Sequence, residues 1–338
     1  MITRSPVGEE RPAWREALAR AWRDPRALLA MLDLEPAALG LDGDAARRFP
    51  FRVTREWAAR MRPGDPHDPL LRQVLPVVDE NRVVPGFGAD PVGEQHLGDG
   101  STLLRKYAGR GLLVMTGACA INCRYCFRRE YPYGDHVGAR ALAAGLDAIE
   151  ADPGIDEVIL SGGDPLVLDD AVLAPLLERI ATQRHVRRLR VHSLLPMVLP
   201  ARITPRLLEL FASQPQQVVL VVHVNHAQEI DDATAAALAR CRAAGVTLLN
   251  QAVLLAGVND DVEVLAALSH TLFEAGVLPY YLHLLDRVAG SAHFEVPEAR
   301  VAALAAGLRA ALPGYLVPRF VREVAGAPAK TPFVPPRP

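Results

Sequence analysis

The chain has 338 residues, of which 50% are hydrophobic and 22% are charged, so it is long enough to bury the core of one barrel-sized domain. Its formal net charge of −2 gives no electrostatic reason to expect a nucleic-acid or membrane-surface partner. No apolar run spans a bilayer, no secretory signal begins the chain, and four cysteines are too few for a disulfide scaffold. We therefore expect a cytoplasmic protein whose clustered thiols bind a metal or act in catalysis.

Residues 1–105 contain helical patches, such as 14–32, and proline-rich irregular stretches, such as 63–69, without a chemical motif that stands alone. From residue 111 onward, short apolar runs typical of buried strands alternate with segments of helical period. The predicted strands are 111–115, 157–163, 189–196, 217–226, 246–255 and 278–286. The predicted helices are 139–151, 171–183, 203–214, 233–245, 261–276 and 297–312.

Continuous apolar strand runs indicate a parallel sheet that is covered by helices, and hence an α/β protein. Six strand–helix units favour an open, partial (β/α)6 barrel of TIM-like type over a closed barrel of eight units. A doubly wound sheet is the competing topology. The predicted organisation is a mostly helical N-terminal extension (1–105), a barrel (106–325) and a C-terminal tail (326–338).

Three of the four cysteines lie within eight residues, because Cys119, Cys123 and Cys126 form the pattern C-x3-C-x2-C. A closed zinc site needs four ligands, so His136 would have to complete it. A chance cluster is a further alternative, and Cys241, on a predicted helix, is expected to be an ordinary buried thiol. Three thiolates suit a [4Fe–4S] cluster that keeps one iron open for a small molecule. The loop follows the first barrel strand, at the end where (β/α) folds carry active sites.

This spacing, with Tyr125 before the last cysteine, resembles the radical S-adenosylmethionine (SAM) superfamily, whose fold is a six-unit partial barrel. The resemblance implies that the open iron binds SAM and that one electron, from a donor such as flavodoxin or ferredoxin, cleaves it to a 5′-deoxyadenosyl radical. The glycine turn after the second strand matches the motif that receives the SAM amino group, and glycines let a backbone approach a ligand closely. This turn consists of Ser161, Gly162, Gly163 and Asp164.

Several stretches between residues 97 and 332 resemble lysine 2,3-aminomutases: CRYCFRR, SGGDPLVL, HSLLPMVLPARIT, VHVNH, NQAVLLAGVND and AGAPAKTP. That resemblance implies pyridoxal phosphate (PLP) as a second cofactor, whose aldehyde forms a Schiff base with a lysine and then with the substrate. The PLP lysine would be Lys330, although by position alone it would be a solvated residue of a frayed tail. Only Lys106 and Lys330 are lysines among 37 basic residues, and an arginine cannot form a Schiff base.

The resemblance also implies which residues hold the substrate and the cofactors. Arg128 would bind the substrate carboxylate. The distal ammonium would lie between Asp286 and Glu323, where the family has a second aspartate in place of the glutamate. Lys106 and Arg110 would lie at the PLP phosphate. Three polar strand residues would surround SAM and PLP, namely His223, Asn225 and Gln251, whereas two further histidines are expected to be structural, namely His283 and His293.

The chain ends eight residues after Lys330 and has no cysteine after Cys241, unlike catabolic lysine aminomutases with a zinc-binding extension. It is most similar to bacterial enzymes that turn (S)-α-lysine into (R)-β-lysine for attachment to elongation factor P. We therefore expect lysine as substrate, the elongation factor P modification machinery as a partner, and a homo-oligomer. The alternatives are a free-standing lysine or glutamate 2,3-aminomutase and a non-catalytic iron–sulfur or zinc protein. Carboxylates at 286 and 323 favour an ammonium-bearing substrate over glutamate.

Overall fold

A sheet of nine strands, arranged in sequence order, forms the centre of the computed structural model, which describes residues 12–95 and 101–334. Strands β2 to β8 are parallel to their neighbours, whereas β1 and β9 pair antiparallel at the two edges. The strands are β1 (Leu103–Leu104), β2 (Arg110–Val114), β3 (Glu157–Ser161), β4 (Arg188–His192), β5 (Gln217–Val222), β6 (Thr247–Val253), β7 (Leu278–His283), β8 (Arg319–Arg322) and β9 (Thr331–Pro332). Because β1 and β9 are not paired with each other, the barrel is open.

Helices connect the parallel strands, and five short helices precede the sheet. The α-helices of the described residues are α1 (Ala13–Ala19), α2 (Pro25–Met31), α3 (Gly43–Arg48), α4 (Arg55–Ala58), α5 (Pro69–Arg72), α6 (Tyr133–His136), α7 (Ala139–Glu150), α8 (Asp170–Ala181), α9 (Leu195–Val198), α10 (Pro205–Ala212), α11 (Asp232–Ala243), α12 (Val262–Glu274) and α13 (Glu298–Ala311). Helix α8 illustrates how they pack, because its buried residues recur at helical spacing: Leu173, Leu176, Leu177 and Ile180. Burying each such side chain contributes roughly 1.5–3 kcal/mol to folding.

The partial (β/α) barrel predicted from the sequence is confirmed, and the doubly wound alternative is wrong because the strand order never reverses. The sequence did not predict β8, a seventh parallel strand of only four residues, or the two-residue edge strands. The predicted strand 189–196 ends at His192, because the Asp164 carboxylate accepts the backbone N–H groups of Leu194 and Leu195 and a helix begins there.

The predicted helical patch 14–32 is two helices rather than one. Helix α1 ends before Arg20, and α2 begins at Pro25. The side chain of Asp24 caps α2 by accepting the backbone N–H of Arg26, and proline suits the first helical position because it lacks an N–H to satisfy. The Asp-Pro pair therefore starts a new helix where the apolar periodicity alone suggested a continuous one.

Candidate active site

A cavity of about 630 Å³ opens at the carboxyl ends of the parallel strands and reaches into the barrel. Its wall combines the cysteine loop after β2 with residues at the ends of β3 to β8. All the site residues named from the sequence contribute to this wall: Lys106, Arg110, Cys119, Cys123, Cys126, Arg128, Ser161, Gly162, Gly163, Asp164, His223, Asn225, Gln251, Asp286, Glu323 and Lys330. The fold therefore brings them to one place, while the ligand of each residue stays a prediction.

The N-terminal extension holds the backbone of the cysteine loop. The backbone N–H of Asn122 donates to the carbonyl oxygen of Arg52 at 3.0 Å, and Arg52 Nη1 donates to the carbonyl oxygen of Cys119 at 3.1 Å. Further along the loop, the backbone N–H of Arg124 donates to the carbonyl oxygen of Gln73 at 2.8 Å. The loop is thus fixed from outside the barrel, by residues 49–82.

A buried cluster of three charges strengthens this attachment. Arg124 binds both carboxylate oxygens of Glu80, at 2.8 and 2.6 Å, and Arg129 donates to the same carboxylate at 2.8 Å. The remaining donors of Arg124 reach the carbonyl oxygens of Phe49 and Ala45. The side chains of Arg124 and Glu80 have no exposed surface, and such a pair is stable only because its hydrogen bonds are satisfied.

The three thiols of the loop line the cavity as free, half-buried cysteines. Burial raises the pKa of Cys123 to about 12 and raises the pKa values of Cys119 and Cys126 as well, so the thiols are protonated at neutral pH without a metal. A bound cluster would displace these protons. No group of three side chains already spaced to hold a metal ion occurs in residues 12–95 and 101–334.

Of the two residues considered as a fourth zinc ligand, Cys241 is excluded by its position. It is fully buried on α11 and does not line the cavity. The side chain of His136 lies outside the part of the chain that the structure describes. Three thiols suit a cluster with one open iron, whereas a closed zinc site needs a fourth ligand.

The glycine turn after β3 packs directly on the cysteine loop. A Cβ atom on Gly163 would lie 2.4 Å from the carbonyl oxygen of Ala118, and one on Gly162 would lie 2.6 Å from that of Thr116. Gly162 also has a φ of +119°, which other residues rarely adopt. The glycines are therefore required by the contact between two loops, whereas the sequence suggested the approach of a ligand.

Asp164 ends this turn and joins the β3 and β4 loops. Its carboxylate accepts hydrogen bonds from the Ser193 hydroxyl and from the backbone N–H groups of Leu166, Leu194 and Leu195. Burial raises the pKa of Asp164, although these hydrogen bonds oppose the rise. The geometry gives Asp164 a structural task, and its predicted contact with a cofactor stays a prediction.

Arg128 is buried and already has a carboxylate partner. Its Nε and Nη2 atoms donate to Glu94 at 2.7 and 3.1 Å, and its Nη1 atom donates to the Ser161 hydroxyl at 3.0 Å and to the Gly162 carbonyl at 3.3 Å. Burial opposes the charge, but Glu94 more than compensates and raises the pKa of Arg128. These contacts use four of the five N–H donors, so a substrate carboxylate would receive one hydrogen bond unless Glu94 moves away.

Asn225 belongs to a hydrogen-bonded network beneath the cysteine loop. Its Nδ2 atom donates to the Tyr125 hydroxyl at 2.7 Å and to Gln73 Oε1 at 2.9 Å, and its Oδ1 atom accepts the Val253 N–H at 2.7 Å. Tyr125 in turn donates to Gln73 Oε1 at 3.2 Å. Asn225 therefore connects the ends of two strands to the loop and to the N-terminal extension.

Five residues of the cavity wall carry a buried side-chain nitrogen that has no hydrogen-bond partner among the described residues. These atoms are Nε of Arg129 and Arg190 and Nε2 of His192, Gln251 and His283. A buried polar group without a partner costs about 1–3 kcal/mol, and native proteins rarely keep several in one place. The wall is therefore suited to a polar ligand, as both SAM and PLP are.

The histidines of the wall are uncharged at neutral pH. Burial lowers the pKa of His223 to about 4, and it lowers the pKa values of His192 and His283 well below the usual value. The rings of His192 and His223 lie edge to face with their centroids 5.7 Å apart. These side chains can hydrogen-bond to a ligand without adding positive charge to the cavity.

The C-terminal tail is docked rather than frayed, because β9 pairs with β8 and the Phe333 N–H donates to the Phe320 carbonyl. Lys330, which precedes β9, donates from Nζ to Glu323 Oε2 at 2.5 Å. Lys106 Nζ lies 2.7 Å from Glu323 Oε1. Lys106 and Lys330 therefore contact the two oxygens of the same carboxylate.

Glu323 and Asp286, the two carboxyl groups predicted to bind an ammonium, differ in their ionisation. Burial alone would raise the pKa of Glu323, but the charge of Lys330 and hydrogen bonds from Lys106, Lys330 and Tyr107 lower it to about 2. Burial raises the pKa of Asp286 to about 7, although the charge of Lys330 opposes the rise. Both groups lie in the cavity wall, next to the lysine.

Arg110 and Arg190 share a carboxylate inside the barrel. Arg110 Nε lies 3.6 Å from Glu157 Oε2, and Arg190 Nη2 donates to the same oxygen at 2.6 Å. Two guanidinium groups on one carboxylate leave this part of the wall positive. It suits an anionic group such as a phosphate.

Among the polar residues of the wall that were not predicted from the sequence are Glu94, Tyr107, Arg190 and His192. His283, which was expected to be structural, also lines the wall, and its role stays a prediction. For Arg190 and His192 a signal existed, because two polar residues at alternating positions of a strand point to the same face. No local pattern marks Glu94, because its partner lies 34 residues further along the chain.

The comparisons with known proteins agree with this geometry. The profile of the radical SAM superfamily matches residues 113–268. The L-lysine 2,3-aminomutase of Escherichia coli (strain K12) is 48% identical over 325 residues, which cover 96% of this chain and 95% of that protein. The enzyme of the same name from Haemophilus influenzae is 42% identical and covers 98% of each chain. That of Clostridium subterminale is 34% identical and covers 84% of this chain but 68% of its own.

A three-cysteine loop at the mouth of a partial barrel, together with the superfamily match, defines a radical SAM enzyme, with a [4Fe–4S] cluster and SAM as cofactors. Within that superfamily, the chain belongs to the L-lysine 2,3-aminomutase family, whose enzymes are isomerases. None of the helices in the described part of the chain combines the length and the apolar character needed to cross a bilayer.

Proposed function

We propose that this protein is a PLP-dependent lysine 2,3-aminomutase that converts (S)-α-lysine into (R)-β-lysine. The observation that carries the proposal is the convergence of three thiols, a lysine and two carboxylates on one cavity of about 630 Å³. The similarity to enzymes of that name over almost the whole chain supports it. No single motif has this weight, because each one also occurs in proteins with other activities.

The residues of the wall fit the three cofactors. Cys119, Cys123 and Cys126 would hold the cluster, whose open iron would bind SAM and which, once reduced, would supply the electron that cleaves it. Lys330 would bind the PLP aldehyde, and it is the one lysine of the tail. A phosphate would find positive charge at Arg110, with Arg190 beside it, and the unpartnered nitrogens of His192, Gln251 and His283 would bind polar groups of SAM or PLP.

The substrate would lie with its carboxylate toward Arg128 and its distal ammonium toward Asp286 and Glu323. One N–H of Arg128 is free to bind the carboxylate, and Glu94 and Ser161 hold the guanidinium in a fixed orientation. Buried carboxylates are the expected partners of a buried ammonium. A glutamate substrate would place a second carboxylate against Asp286 and Glu323, which is unfavourable.

We also propose that the β-lysine serves the modification of elongation factor P, and that a flavodoxin or ferredoxin reduces the cluster in the cytoplasm. Support comes from the resemblance described above and from the identity to two relatives, 48% and 42%, which exceeds the 34% to the clostridial enzyme. A homo-oligomer is part of the same proposal, by resemblance to the family.

An anaerobic turnover assay tests the proposed reaction. The full chain is reconstituted with iron and sulfide and is given PLP, SAM, a reductant and L-lysine, and β-lysine is separated by chiral chromatography. We expect (R)-β-lysine from the wild type and none from Lys330→Ala, which should still cleave SAM. If SAM is cleaved but no β-lysine forms at any lysine concentration, the proposal that lysine is the substrate is contradicted, and glutamate would be tested next.

A further inference from the structure

Each oxygen of the Glu323 carboxylate already contacts a lysine ammonium. Oε2 accepts from Lys330 Nζ at 2.5 Å, whereas Oε1 lies 2.7 Å from Lys106 Nζ and accepts from the Tyr107 hydroxyl. The Glu323 side chain is only 9% exposed, so a ligand can reach it only from the cavity. A ligand ammonium at Oε2 would lie beside the ammonium of Lys330, and the repulsion between the two charges favours replacement of one by the other.

The charges around Glu323 are balanced in the free protein. Asp286 is close enough to Lys330, Lys106 and Glu323 for their charges to influence its ionisation, and no hydrogen bond or ion pair of its carboxylate occurs within the described residues. Two lysines and two carboxyl groups thus share one wall. With both carboxyl groups ionised their sum is zero, and an additional cation would have no excess of negative charge to bind.

We propose that Lys330 occupies the cation subsite of its own active site, and that the distal ammonium of a substrate enters this subsite only after Lys330 has lost its charge. This inference rests on the proposed function. It makes Lys330 a specificity residue as well as the residue that carries the cofactor. Glu323 is then the counter-ion of Lys330 in the free protein and of the substrate afterwards.

The loss of charge follows from the covalent chemistry of an amine with an aldehyde. An ammonium that reacts releases one proton to solvent, and the amine and the aldehyde then form a carbon–nitrogen double bond and expel one water molecule. The nitrogen of Lys330 would then be held by the cofactor and would no longer be an ammonium at Glu323. Glu323 Oε2 would lose this partner, and with both carboxyl groups ionised the four groups would have an excess of one negative charge.

Ordered binding is the functional result. Before the cofactor is attached, lysine meets a subsite already filled by a cation of its own kind. After attachment, the same subsite attracts an ammonium. An amino acid without a distal ammonium would leave Glu323 Oε2 unpaired and buried, which costs more than the contact itself would provide. Replacement of the Lys330 ammonium by the substrate ammonium at Glu323 thus adds selectivity for a cationic side chain.

The test measures binding of 6-aminohexanoate, which has the carboxylate and the distal ammonium of lysine but no α-amino group. The full chain is used with its cluster reconstituted and with PLP removed, and affinity is measured by isothermal titration calorimetry. We expect weak binding to the wild type and binding at least about tenfold tighter to Lys330→Met, in the range of ordinary coupling between sites. Lys330→Arg keeps the charge and should stay as weak as the wild type.

Two controls identify the subsite. Hexanoate, which lacks the ammonium, should bind the wild type and Lys330→Met equally. Adding Glu323→Gln to Lys330→Met should remove the gain. Lys330→Gln replaces Lys330→Met if the latter melts at a lower temperature than the wild type. Equal affinity of the wild type and the neutral variants, or an equal gain in Lys330→Arg, would overturn the inference.

The result of this binding experiment can be distinguished from that of the turnover assay. Binding of 6-aminohexanoate requires neither SAM cleavage nor PLP, so equal affinities of the wild type and Lys330→Met would reject the shared subsite and leave a positive turnover result intact. Conversely, absence of β-lysine together with tighter binding to Lys330→Met would keep the cation subsite and reject the reaction.

Discussion

Asp286 and Glu323 lie in the same cavity wall, yet their carboxyl groups ionise at pH values far apart. Two lysine ammonium groups contact Glu323 and lower its pKa to about 2. Asp286 has no such direct partner in the described part of the chain, and burial raises its pKa to about 7. An acid with a raised pKa is neutral at low pH and charged above that value. Asp286 therefore adds its negative charge to the cation subsite at and above a pH of about 7.

The first prediction follows from the pH dependence of the charge on Asp286. In the Lys330→Met background, the affinity for 6-aminohexanoate should rise as the pH is raised through about 7, because Asp286 becomes ionised. The midpoint should lie at or above that value, since the charge of Lys330, which lowers the pKa of Asp286, has been removed. Calorimetric titration at several pH values measures the rise.

Asp286→Asn in the same background is the control. It should bind the probe more weakly and without the increase, because an amide does not ionise in this range. A pH profile that is the same with aspartate and asparagine at position 286 would assign the titration to another group.

At the residue scale, chemistry was more predictable than contacts. The three cysteines could be predicted from their spacing, and Lys330 and the two acids from the family resemblance and from the chemical groups that the proposed reaction needs. The partners Glu94 and Tyr107 could not be named, because many side chains can donate to or accept from an arginine or a carboxylate. Which one does so depends on the folded chain.

The element that most affects the cysteine loop lies outside the barrel. The segment from α3 to residue 82 supplies backbone acceptors and the Glu80 carboxylate, and Arg124 is the loop residue that binds them. Since the loop carries the three thiols, the N-terminal extension determines where they lie. The extension contains no recognisable sequence motif, because it acts through contacts with residues distant along the chain.

The second prediction concerns this attachment. Glu80→Gln leaves the buried guanidinium groups of Arg124 and Arg129 without a charged partner, and breaking a buried pair costs about 3–5 kcal/mol. We expect a lower free energy of unfolding in urea and a smaller amount of iron and sulfide bound after reconstitution.

The adjacent residue provides a matched control. Asp79 forms an exposed pair with Arg82 at 3.5 Å. Asp79→Asn should change the free energy of unfolding by less than about 1 kcal/mol and should leave the iron content unchanged. If the two variants behave alike, the buried cluster does not position the loop.

The alternation of strands and helices was predictable because each parallel strand is an apolar run and each helix has an apolar face. Strand β8 was missed because it has four residues, RFVR, with a charge at each end. Its position is fixed by pairing with β7 rather than by its own composition. Short strands of this kind depend on the sheet that they join.

On the scale of the whole molecule, the open seam of the barrel is bridged by side chains. Lys106 and Tyr107 lie between β1 and β2 at one edge, and Glu323 follows β8 near the other. Their contacts join the two edges across the gap that no strand pairing closes. The first and last parts of the chain therefore depend on each other for stability.

The third prediction tests this bridge. Tyr107→Phe removes one hydrogen bond to a buried carboxylate, which should lower the free energy of unfolding by about 1.5–3 kcal/mol. Urea denaturation measures the change. Tyr315→Phe is the control, because Tyr315 is 64% exposed and its ring packs on Phe273. A Tyr107→Phe protein as stable as this control would show that the bridge adds nothing.

A seam closed by side chains also has a consequence for how such enzymes diverge. In a closed barrel the circumference is set by the number of strands, whose backbone hydrogen bonds leave no adjustment. Here the distance between the two edges depends on the reach of the Glu323 side chain, which is one methylene group longer than that of an aspartate. One methylene group can therefore alter the width of the cavity while every strand keeps its register. Relatives can thus acquire new substrates by small substitutions at the seam.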